Sequence, residues 1–173
     1  MTYLFSGTPV EMMSACLRHL ERAKTGGPNA DPEFRQALIC LVGLSDRQAY
    51  VGAPDPQQLR EFWQNFCEAL LTFGNKVAAY ILKAIFLAEG ANEDEWYELC
   101  MRRTVIQLLI SNCSETAISN QIDLADVADL DVELLKVGKE QGPIPEPFIP
   151  KGLPDSYWWW HYPDPSEESS DLT

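Results

Sequence analysis

The sequence predicts an all-α protein: a bundle of five to six helices over residues 1–141, followed by an extended proline-rich tail over residues 142–173. Three observations point there. Helix starts are marked by capping residues with proline or acids behind them, apolar residues then recur at spacings of three and four, and the composition changes abruptly at Gly142. No stretch shows the alternation of a half-buried strand strongly enough to compete.

Each element has its own signal. Thr8-Pro9-Val10-Glu11 combines a capping hydroxyl, a proline suited to the first helical position and a glutamate able to reach back to the cap. Val10, Met13, Leu17 and Leu20 then define a face, and Gly26-Gly27-Pro28 stops the helix. Asp31-Pro32 is read as an aspartate cap opening a second helix with Phe34, Leu38, Leu41 and Val42, fading near Ser45. Asp55-Pro56 opens a third, whose stripe of Leu59, Phe62, Trp63, Phe66, Leu70 and Phe73 must face a partner helix. Gly74-Asn75 kinks or ends it. The next segment, with Val77, Tyr80, Ile81, Leu82, Ile85, Phe86 and Leu87, is apolar almost all round and is expected to run through the centre. Asn92-Glu93-Asp94-Glu95 starts a fifth helix reaching about Cys113, its acids favoured by the positive end of the helix dipole. A polar connector over 114–121 leads to a sixth helix from about Asp123 to Lys139, with Leu124, Val127, Leu130, Leu134 and Val137 on its inner face.

Beyond Gly142 stand seven of the twelve prolines, which exclude regular helix and central strand over most of the tail. Within it lies Ser156-Tyr157-Trp158-Trp159-Trp160-His161-Tyr162. Neighbouring side chains of an extended chain point in different directions, so three consecutive tryptophans need a groove or two surfaces. Two readings follow, and both stay open at this point. The tail can strap across its own bundle, which costs less entropy, or dock on another molecule, since buried tryptophan dominates many interfaces. Ser166, Ser169 and Ser170, among acids, offer phosphorylation sites against the plainer reading of a solvated end.

Composition limits the function classes. The chain has 173 residues, 46% hydrophobic and 23% charged, which suits one globular domain with an appendage. Its net charge of −13 leaves −8 on the body and −5 on the tail, so nucleic acid and anionic membrane are not expected partners. Arg102-Arg103 is the single adjacent basic pair. The N-terminus lacks the basic and apolar regions of a secretory signal, so a cytoplasmic location is expected. The twelve-residue apolar run of residues 77–88 is too short to cross a bilayer, so no membrane insertion is expected. Five cysteines without paired spacing are expected as buried reduced thiols.

Rival chemistries find little support. Asp123, Asp126, Asp129, Asp131 and Glu133 suggest calcium, but apolar residues interleave them and the loop glycine is missing, so a solvated acidic face is the better reading. Cys16 and His19 could offer zinc two ligands, with His161 as a remote third, short of the four a structural site uses. No cofactor or metal is expected. The leading function is a non-enzymatic protein-binding module, namely an adaptor, assembly factor or regulatory subunit. Its candidate contacts are Phe148, Tyr157, Trp158, Trp159, Trp160, His161 and Tyr162 in the tail and Asp126, Asp129 and Glu133 on the sixth helix. Homo-oligomerisation by tail exchange is one version of it. The alternatives are a small enzyme built on convergent remote residues such as His19, Glu68 or Tyr80, and an acidic transcription regulator with a basic helical face near Arg102 and Arg103.

Overall fold

The start signals act through the hydrogen bonds they were expected to make. The structure, a computed structural model, describes residues 7–45 and 52–162. Helix α1 (Pro9–Lys24) opens on a full capping box: Thr8 Oγ1 accepts from the Glu11 amide at 3.3 Å, and Glu11 Oε2 accepts from the Thr8 amide at 2.6 Å. In α3 (Pro56–Leu71) the Asp55 carboxylate accepts from the amides of Gln57 and Gln58 at 2.8 and 3.0 Å. Asn92 and Glu95 form a second capping box at the head of α5 (Glu93–Asn112), and Asp123 accepts from the Ala125 amide to start α6 (Leu124–Gln141).

Helix α2 (Ala30–Ser45) departs from this pattern. It starts at Ala30, so Asp31 lies in the first turn rather than at the cap. Its carboxylate instead pairs with Lys76 at the start of α4 (Lys76–Ala88), tying the two helix starts together. The break at Gly74-Asn75 is an end and not a kink, since α3 and α4 meet at 85°.

All six helices surround one continuous core, and among the described residues there is no strand. Helix α1 packs along α2, α2 against α5, and α4 against both α5 and α6. The central element is α5 and not α4. Trp96, Leu99, Cys100, Val105, Ile106 and Leu109 of α5 are all essentially inaccessible, whereas α4 leaves Phe86 70% exposed. The dense apolar content of α4 misleads because one of its faces is bare. The inner face of α1 is likewise rotated from expectation: Met12, Met13, Cys16, Leu20 and Ala23 are buried while Val10 is exposed. Each fully buried large apolar side chain contributes about 1.5–3 kcal/mol, so these assignments decide where the stability resides.

The cysteine expectation also needs correction. Cys67 of α3 and Cys113 at the end of α5 form a disulfide, with Cα atoms 6.0 Å apart, inside the range such bonds require. Cys16, Cys40 and Cys100 are free and buried. Their spacing gave no hint because the bond joins residues 46 apart in sequence that only the tertiary fold brings together. Between α5 and α6, the connector expected to be merely polar forms a 3₁₀ turn (Ala117–Gln121) that inserts Ile118 fully into the core. Among the described residues no single helix is long and apolar enough to cross a membrane.

Candidate functional site

Gly142 turns the chain out of α6 with φ +80°, a conformation that suits glycine, and its carbonyl accepts from Trp96 Nε1 at 3.0 Å. From there residues 143–162 pass over α5. Two 3₁₀ turns, Glu146–Phe148 and Trp158–Trp160, interrupt the extended chain. The second answers the geometric problem of three adjacent tryptophans. A 3₁₀ turn advances a third of a revolution per residue, so Trp159 and Trp160 both reach the core while Trp158 stays half-buried at the rim.

Both indoles converge on one hydroxyl. Trp159 Nε1 and Trp160 Nε1 donate to Thr104 Oγ1 at 3.0 and 2.8 Å, and that hydroxyl donates to the Cys100 carbonyl at 2.8 Å. One donor and two acceptor positions are thereby all used, at a site with no solvent access. The Cys100 thiol lies 3.3 Å from the Trp159 carbonyl and donates to it, and burial raises its pKa well above the usual thiol value. Arg103 lies over the Trp159 ring, 4.4 Å from its centre, while forking onto Asp131 of α6 at 2.6 and 3.1 Å and onto Gln107 at 3.1 Å. Tyr157 stacks on Trp159 at 4.9 Å, and its hydroxyl pKa is raised by burial, partly offset by Arg103. Tyr97 meets Trp160 edge-on at 5.7 Å.

Gly138 is the other half of this seat. A Cβ there would stand 2.6 Å from Tyr162 Cδ1 and 3.3 Å from Trp96 Cζ2, so only glycine lets the tail close so near to α6. Tyr162 in turn meets Trp158 edge-on at 5.6 Å. Of the seven tail residues singled out as partner contacts, Tyr157, Trp159 and Trp160 are therefore engaged within the chain. Trp158 and Tyr162 are half-buried, and Phe148 and His161 are exposed. Ser166, Ser169 and Ser170, with Pro163 and Pro165, lie outside the described residues.

Arg102 and Arg103 do not form a surface stripe. Arg102 pairs with Glu98 at 2.7 Å and lies over the Tyr80 ring at 4.9 Å, and both arginines are buried. The residues considered for an enzyme have separate neighbours. His19 pairs with Glu33 at 2.5 Å, Tyr80 is buried under Arg102 with its pKa pushed up by burial, and Glu68 is exposed on α3. Burial raises the Cys16 thiol pKa well above the usual value, and a hydrogen bond with Cys40 raises it further. Among the described residues no group of three or more His, Cys, Asp or Glu could hold a metal ion.

The acidic residues of α6 separate into different roles. Asp123 caps the helix, Asp131 turns inward to Arg103, and Glu133 pairs with Lys136 at 2.6 Å. Asp129 is exposed and Asp126 half-buried. Beside them runs a feature that the inward-facing pattern concealed: Leu124, Val132 and Leu135 are 66%, 51% and 40% exposed, and Ala128 completes their line. Leu124 was expected in the core, but its spacing of four to Ala128 and Val132 and of three from Val132 to Leu135 makes a second apolar stripe. That stripe was legible in the sequence had a second face been sought.

No protein-family model, curated protein or solved structure matches the chain, so similarity supplies no function for it.

Proposed function

We infer that the chain is a non-enzymatic protein-binding module, an adaptor, assembly factor or regulatory subunit, and that it receives its partner on the outer face of α6. The observation that carries this reading is the exposed stripe of Leu124, Ala128, Val132 and Leu135, with exposed Asp129 one turn from Val132. A line of apolar side chains at helical spacing, held on a rigid helix and edged by charge, is the arrangement used to receive a second helix. The tail supports the reading indirectly. With Trp159 and Trp160 committed to Thr104, the aromatic cluster acts as part of the body that positions α6. A second copy of the chain could take the tail only by emptying this seat in both partners, reusing the same contacts across the pair.

The test compares the full chain with a Val132→Glu/Leu135→Glu variant, both immobilised and exposed to the same extract, with cross-links mapped by mass spectrometry. Both positions are exposed, so the variant is expected to keep its helical circular dichroism. The expected result is a partner cross-linked to α6 that the variant loses. Identical capture by the two proteins, or cross-links confined to other helices, would remove the basis for this reading.

A further inference from the structure

We propose that Cys16 and Cys40 are a redox-active thiol pair that hydrogen peroxide converts to a second disulfide, fastening α1 to α2. The hairpin of these two helices brings the sulfurs together. The connector over residues 25–29 turns the chain back antiparallel, so that α2 packs along α1. Glu33 fixes the register by meeting His19 at 2.5 Å and Arg22 at 3.9 Å, so it stands level with a point between them. From that level Cys16 lies about 7 Å and Cys40 about 10 Å further from the connector, at 1.5 Å per residue. Side chains lean toward the N-terminus of their own helix, away from the connector on α1 and toward it on α2, which closes the remaining offset. Both residues face inward, with 0% and 1% of their surface exposed, and the two thiols hydrogen-bond to each other.

The surroundings distinguish the two sulfurs. Cys40 has its pKa lowered, first by the hydrogen bond from Cys16, against the opposing effect of burial, and then by Gln36 and the charge of Arg18. Gln36 Nε2 donates to Cys40 Sγ at 4.0 Å. Cys16 is pushed the other way and keeps its proton. Cys40 is therefore the attacking thiolate. Its sulfur bonds to one peroxide oxygen, the O–O bond breaks, and the departing hydroxide takes up the proton that Cys40 gave up, leaving a sulfenic acid and water. The Cys16 sulfur then attacks the Cys40 sulfur, the S–O bond breaks, and the hydroxyl leaves with the Cys16 proton as a second water. The sulfurs give up the electron pair that the peroxide accepts. Burial selects the oxidant: an attacking disulfide needs room to align its sulfurs with the thiolate, whereas peroxide is scarcely larger than water. The third free thiol, Cys100, is committed to the Trp159 carbonyl at 3.3 Å and takes no part.

The experiment treats the full, folded chain with equimolar hydrogen peroxide, quenches with catalase, blocks free thiols in urea and maps the unreduced peptides by mass spectrometry. Free thiols are expected to fall from three to one, with Cys16 linked to Cys40, Cys67 still linked to Cys113 and Cys100 blocked. Cys16→Ala is expected to stop at a sulfenic acid on Cys40 that dimedone traps, and Cys40→Ala to leave Cys16 unoxidised at the same dose. Should either variant fail to fold, the map of the parent chain decides alone. Three thiols remaining, Cys100 as the first site of oxidation, or a lasting sulfenic acid on Cys40 of the parent would overturn the proposal. The same mixture of pairings from folded and urea-unfolded chains would overturn it too, since the fold would then not be holding the two sulfurs together.

Discussion

Replacing Thr104 with valine tests the tail seat most directly, because the change keeps the β-branched shape and removes one oxygen. Two buried indole N–H groups then lose the acceptor they share at 3.0 and 2.8 Å. An unsatisfied buried donor costs about 1–3 kcal/mol, so Thr104→Val should cost about 2–6 kcal/mol if the tail stays seated. The loss has a ceiling. Burial of Trp159 and Trp160 contributes about 2–3 kcal/mol each before ordering entropy is subtracted, so above a few kcal/mol the tail is released instead. Thr104→Ser separates the two effects, since it keeps the hydroxyl and removes one methyl, a change of about 1 kcal/mol. Urea unfolding, followed by circular dichroism and by tryptophan fluorescence, should rank stability as parent, then serine, then valine, with valine showing red-shifted emission before the helices melt. A valine variant within about 0.5 kcal/mol of the parent, or a serine variant as damaged as valine, would refute the shared-acceptor account.

Two further predictions follow from the packing. Gly138→Ala gains about 0.5–1 kcal/mol of helix propensity but drives a Cβ into Tyr162, so alone it should destabilise by about 1–2 kcal/mol net. Combined with Tyr162→Ala it should cost less than the sum of the single changes, and an additive double-mutant cycle would deny the contact. Thiol titration of the denatured, unreduced chain should find three reactive cysteines, rising to five after reduction, because Cys67 and Cys113 are bonded. Closing a loop of this length is worth about 4 kcal/mol in the chain-entropy account, so reductant should lower the unfolding midpoint. Disulfides persist in oxidising compartments, so this pairing and the expectation of a cytoplasmic chain pull in opposite directions, and five thiols at the outset would decide against the bond.

What the sequence disclosed depended on how local the cause was. Caps at Thr8, Asp55, Asn92 and Asp123 act over three residues, so their helices were readable, and the apolar stripe of α3 was read almost residue for residue. Asp31 was misplaced because its partner, Lys76, lies on another helix. Periodicity identifies apolar faces but not which one the core selects. Hence Leu82 and Phe86 of α4 and Leu124 of α6 were assigned inward though solvent reaches them. The candidate site was partly visible. The acids of α6 were seen, but their division between Arg103, Lys136 and solvent depends on how α5 and α6 cross. The role of Thr104 carried no sequence signal, since a single threonine among apolar residues of a helix resembles an ordinary tolerated substitution.

The placement of Trp159 and Trp160 has a consequence for how the chain is made. The last helix ends at Gln141, yet the residues that fill its seat come nearly twenty positions later. At about 5–20 residues per second, synthesis leaves an interval of roughly 1–4 s in which all six helices exist as sequence and the cleft beside Thr104 has nothing to fill it. Helical bundles of local topology collapse in microseconds to milliseconds, far faster than that interval. A chain stopped short of Tyr157 would therefore carry all six helices with Arg103 and Thr104 at an open seam, so the body becomes complete only when the last tryptophans have been added.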